Sequence, residues 1–139
     1  MIQEDKELLL KDISGRLPYG QIVQISLFRN DGKKGDIELD PHVTENIWEI
    51  IDKYHALPYL RPMSSMTEEE KREYASFIVG QKPFDSDFSA YPKEYGFVYE
   101  WDVINYVNWL NSHHFDYRGL IPKGLAIEAP EGMYNIKEQ

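Results

Sequence analysis

The chain has 139 residues, is 42% hydrophobic and 14% aromatic, and carries a formal net charge of −9. This length and aromatic content predict one globular domain, residues 1–139, around one core, and exclude a disordered chain. The acidity excludes direct nucleic-acid binding through the phosphate backbone, and the absence of cysteine excludes disulfides, thiolate metal sites and cysteine nucleophiles.

In chain order, Met1-Ile2-Gln3-Glu4-Asp5-Lys6 lacks the basic region and long apolar core of a signal peptide. No apolar run approaches membrane-spanning length, so a cytoplasmic protein without a membrane partner is expected. Residues from about Glu4 to Ser14 read as a helix with Leu9 and Ile13 on one face, and Gly15 is placed to close it in a left-handed cap. Gly15-Arg16-Leu17-Pro18-Tyr19-Gly20 follows as a turn. From Gln21 to Phe28 the period is two, with Val23, Ile25 and Leu27 on one face. After the turn chemistry of Asn30 to Gly35, Ile37 and Leu39 alternate again, which predicts a β-hairpin. Its Lys33-Lys34 tip reads as a solvated turn.

Thr44 is placed to cap a second helix, in which Ile47, Ile50, Ile51 and Tyr54 match one apolar face, with His55 at its margin. Pro58-Tyr59-Leu60-Arg61-Pro62 must be extended, because each proline restricts itself and the residue before it, and a connector is expected there. Thr67-Glu68-Glu69-Glu70 is a capping box opening a third helix with Tyr74, Phe77 and Ile78 inward and Gly80 as its stop. Capping explains these glutamates better than a metal or acid–base cluster does. Gln81 to Glu94 reads as a loop folded onto the body, and its Asp85-x-Asp87 pair lacks the remaining ligands of a calcium loop. Phe97 to Trp101 is predicted as a strand leading into a capping Asp102. The helix that follows carries Val103, Val107 and Leu110 on one stripe, which helical phase extends to His114, with Gly119 as its terminator. Together these segments predict an α+β fold: three or four helices on a small antiparallel sheet made of the N-terminal hairpin and a strand near 97–101.

The densest chemistry lies in Trp109-Leu110-Asn111-Ser112-His113-His114-Phe115-Asp116-Tyr117-Arg118-Gly119-Leu120-Ile121. His113, His114, Asp116, Tyr117 and Arg118 form the candidate cluster. Imidazole titrates near neutrality and a carboxylate beside it fixes its tautomer, so a general base with an orienting aspartate is conceivable. The remaining parts of a site are missing. There is no His-Glu-x-x-His, no Gly-x-Ser-x-Gly, no phosphate-binding glycine loop, and no two of the four histidines sit four apart on one helix face. No cofactor and no bound metal are expected, and the catalytic residues stay unassigned. The favoured structural alternative is a clasp between helix and tail. In it Asp116 accepts bonds from local amides or from Arg118, Phe115 and Tyr117 close the core, and Arg118 forks to Glu128 or Glu131.

Four segments, Lys11 to Gly20, Pro58 to Thr67, Trp109 to Ile121 and Lys123 to Tyr134, together resemble a family of small proteins of gut anaerobic bacteria, many carried on prophages and other mobile elements. The likeness covers both ends and the centre, lapses over Asn30 to Ala56 and over Ile78 to Ile104, and transfers no catalytic residue. It implies a mobile-element accessory protein. Two function classes are therefore carried forward. The favoured one is a non-catalytic protein-interaction accessory using its acidic surface, its protein partner and oligomeric state left open. The alternative is a small enzyme or ligand-binding domain using the His113–Arg118 cluster.

Overall fold

Alternation of apolar and polar residues turns Gln21 onward into a strand, and the same alternation past the turn gives its partner. In the computed structural model, which describes residues 1–26, 32–75 and 100–134, β1 (Gln21–Ser26) pairs antiparallel with β2 (Lys34–Leu39), Val23 opposite Ile37 and Gln21 opposite Leu39. Leu27, Phe28 and the first part of the tip, Asn30-Asp31, lie outside the described residues.

The extended Pro58–Pro62 segment is not a connector. Leu57–Leu60 forms β3, which pairs antiparallel with β1 and parallel with the short β4 (Ile127–Glu128), giving the order β2-β1-β3-β4. Pro58 has no amide to donate, and the β1–β3 ladder is confined to Val23 opposite Pro58 and Gln24 opposite Leu57. The sheet is thus mixed, where an antiparallel one was expected. The chain leaves β3 through helices before it returns, and such a crossover allows a parallel partner. Of the strand predicted near 97–101, Phe97 to Tyr99 lie outside the described residues, and Glu100 and Trp101 belong to a helix instead.

Among the described residues the helices are α1 (Gln3–Arg16), α2 (Ile47–Tyr54), α3 (Glu68–Ala75) and α4 (Glu100–Ser112), so the fold is α+β. Gly15 does not cap α1 but lies within it. The left-handed glycine comes after the following 3-10 turn, at Gly20 with φ of 76°. Asn46, not Thr44, caps α2, its side chain accepting from the Trp48 and Glu49 amides. The capping box of α3 forms: the Glu70 amide donates to Thr67 Oγ1 at 3.1 Å and the Thr67 amide to Glu70 Oε1 at 2.9 Å. Phe77, Ile78, Gly80 and the Asp85-x-Asp87 pair lie outside the described residues. Asp102 falls inside α4 rather than ahead of it.

The single core expected from chain length resolves into two clusters. Leu9 and Ile13 of α1, Val23, Leu39, Ile50, Ile51, Leu60 and the later Leu120, Leu125 and Ala126 make the larger one. Met66, Tyr74, Tyr106, Leu110 and Phe115 make the smaller. The sheet edge joins them. Arg61, just past β3, donates its amide to the His114 carbonyl and accepts from the Asp116 amide, at 2.7 and 2.8 Å. No described helix is long and apolar enough to cross a membrane.

Candidate functional site

The end of α4 builds the cluster. His114 has φ of 63°, its amide donates to the Asn111 carbonyl, and the Phe115 amide reaches back to the Leu110 carbonyl at 3.0 Å. These are the two bonds of a Schellman turn, with Leu110 and Phe115 as its apolar pair. His114 rather than Gly119 therefore terminates α4, and histidine is among the residues that tolerate this conformation. Gly119, at φ of 72°, serves the next turn. His114 is buried, with 3% of its surface exposed. The helical stripe points to that burial, but the left-handed turn produces it.

The other members diverge from that point. His113 is half-buried, stacks on Trp109 with ring centroids 4.3 Å apart, and holds Nδ1 2.9 Å from the Trp109 carbonyl. Buried Asp116 accepts the Leu120 amide on Oδ1 at 2.8 Å and the Ile121 amide on Oδ2 at 2.9 Å. Tyr117 donates to Asn111 Oδ1 at 2.9 Å. Arg118 does not fork to Glu128 or Glu131. Its Nε donates to Asp12 Oδ1 at 3.2 Å. The histidine and aspartate that a general base would require are thus turned to different partners.

Asp12 leads to a residue that the sequence reading passed over. Arg16 is fully buried on α1, donates from Nε and Nη2 to the two Asp12 oxygens at 3.0 and 3.1 Å, and reaches the Phe115 carbonyl with Nη2 at 2.6 Å. One buried carboxylate therefore serves two arginines, and α1 is tied to the α4 turn. The signal was present in helical phase, since Asp12 and Arg16 follow Leu9 by three and seven residues and share its buried face. Arg61 likewise grips Glu70 through both terminal nitrogens, each at 2.8 Å, with its guanidinium over the Phe115 ring. Burial opposes the ionised form of Glu70, but Arg61 and Thr67 outweigh it and hold its carboxyl below the usual range.

Tyr134 was also missed. Its ring lies flat on His114, centroids 3.6 Å apart at 9°, and its hydroxyl meets Gln21 Nε2 at 2.8 Å, the Ile22 amide at 3.2 Å and the Tyr59 carbonyl at 2.8 Å. Burial pushes the Tyr134 phenol up. Burial first, then the charges of Arg16, His113 and Arg61, pushes His114 down to about 3, so the imidazole is neutral in the folded chain at ordinary pH. Three buried side-chain atoms here have no hydrogen-bond partner among the described residues: Arg16 Nη1, Gln21 Oε1 and His114 Nδ1.

No group of three His, Asp or Glu side chains able to hold a metal occurs among the described residues. Neither family models, curated proteins nor solved structures match this chain.

Proposed function

We propose that the protein is a non-catalytic, protein-interaction accessory of a mobile element or phage. The observation that carries this reading is the internal commitment of the signature cluster. Asp116 spends both oxygens on backbone amides, Tyr117 is bound to Asn111, Arg118 to Asp12, and His114 lies under Tyr134. A general base needs a lone pair within reach of a substrate proton, and Asp116 is buried with a backbone amide on each oxygen. The exposed surface is acidic on several elements, with Glu4 and Glu7 on α1, Asp36 and Glu38 on β2, and Glu68 and Glu69 on α3. Such a surface steers a cationic partner and suits association that weakens as salt rises.

A second reading, a small ligand-binding domain, rests on the three unpartnered atoms of Arg16, Gln21 and His114. They are closed off from solvent, so this reading requires something to open.

Affinity capture with the full chain from host extract separates the two. A specific protein partner released by raised salt is the expected result. A turnover catalysed by the wild-type chain and lost in a folded Asp116→Asn variant would overturn the proposal.

A further inference from the structure

The β1–β3 ladder stops at Val23 and Pro58, which leaves the Ile22 amide and the Tyr59 carbonyl without a partner strand between them. A tyrosine hydroxyl fills that gap. It accepts from fully buried Gln21 and from the Ile22 amide and donates to the Tyr59 carbonyl, while His114 supplies a flat wall for the ring. Two bonds accepted and one donated are the whole capacity of a phenol. Phenylalanine would leave the Ile22 amide unpaired, and a phosphorylated tyrosine would press a dianion against a buried carbonyl.

The segment that delivers Tyr134 is anchored unevenly. Leu120, Leu125 and Ala126 sit in the larger core. From Ile127 to Tyr134 no residue is buried. The strap touches the sheet through the two residues of β4, through the Ala129 amide on the Leu60 carbonyl at 2.8 Å, and through Tyr134 itself. Segments with few buried apolar contacts open at lower free energy than the core they lie on. The closed slot is also imperfectly satisfied, because Gln21 Oε1 and His114 Nδ1 lack partners among the described residues. Buried unpaired groups destabilise the closed form relative to an open one in which water reaches them.

We propose that this slot and the adjoining β3 edge are a docking site for an extended, tyrosine-bearing segment of a partner protein, held shut in cis by residues 127–134. The partner strand lies parallel to β3 as β4 does, main-chain bonds to Leu60 giving affinity and the tyrosine slot giving specificity. This inference rests on the protein-interaction reading above and names the surface that reading uses.

The test is binding of a fluorescent peptide spanning residues 125–134 of the chain's own sequence to the full-length wild type and to full-length Tyr134→Ala. Loss of the cis tyrosine, which weakens the strap's hold on the sheet, should tighten binding by roughly tenfold, since apparent affinity scales with the fraction of open sites. A peptide with phenylalanine in place of its tyrosine should bind more weakly. Equal binding to both chains, or none to a folded Tyr134→Ala variant, overturns the proposal. Hydrogen exchange on the wild type is the independent measure, and it decides alone should Tyr134→Ala fail to fold. The Ala129 amide should exchange well before the Val23 amide, which lies in the β1–β2 hairpin. Exchange of both only on global unfolding would mean that the strap does not open. A strap that stays shut while salt-sensitive capture persists removes this inference alone. Peptide binding without any captured partner removes the broader reading alone.

Discussion

Lowering the pH from 7 to 5 should destabilise the wild-type chain more than a His114→Asn variant, by about 2 kcal/mol. His114 is almost fully buried against Tyr134 and faces Arg16, His113 and Arg61, with its pKa held near 3. An unfolded histidine titrates near 6.5. The folded value is the lower one, so the stability that neutral His114 contributes is complete above the unfolded pKa. It is lost as pH falls below that value, because the unfolded chain takes up a proton the folded chain refuses. The slope in that window is about 1.4 kcal/mol per pH unit, which yields the stated difference. Asparagine tolerates the left-handed backbone of position 114 and does not titrate, so the variant keeps the turn and loses only the linkage. Glu70 and Asp52 have lowered folded pKa values, and their contributions fade only below the ordinary carboxylate range, beneath this window. Urea unfolding followed by circular dichroism at the two pH values gives both free energies. Equal losses in the two proteins would refute the placement of a neutral imidazole in the buried turn.

Asp12→Ala removes the carboxylate that, among the described residues, the Arg16 guanidinium meets and should cost about 3–5 kcal/mol, as expected when a buried ion is left unpaired. A thermal melt close to wild type would contradict the Asp12–Arg16 geometry. Arg118→Ala removes a contact to the same carboxylate from a side chain that is 28% exposed, and should cost about 1 kcal/mol in the same assay. Thr67→Ala removes the hydroxyl that accepts the Glu70 amide and should lower unfolding free energy in urea by about 1 kcal/mol, with no loss meaning that α3 does not start there.

Local chemistry was readable from the sequence wherever a few neighbouring residues decide the outcome. The hairpin pattern, the Thr67–Glu70 box and the carboxylate of Asp116 turned to nearby amides all appear as the residues suggest. Helix ends were less legible. Gly15 is a good left-handed residue, yet α1 runs through it, and Arg16 at the end of the helix is bonded to Asp12 and the Phe115 carbonyl. His114 takes the role that glycine chemistry assigns to Gly119, because Leu110 and Phe115 close a turn one helical step earlier. What could not be read was pairing at long range. Pro58 demotes its segment locally, and only the open backbone of β1 on one side and of β4 on the other makes it a strand. Nothing near Arg118 in the chain names Asp12, and nothing near Tyr134 names Gln21.

The position of β3 also bears on the timing of folding during synthesis. Residues up to Leu60 can form α1, the β1–β2 hairpin, α2 and the β1–β3 contact as they emerge. The Leu60 carbonyl and both backbone groups of Arg61 wait for residues 114–129. Until those residues leave the ribosome, β3 presents a bare strand edge, and such edges pair with whatever strand is at hand. A nascent chain stalled before Phe115 should therefore need chaperone cover that the finished chain does not.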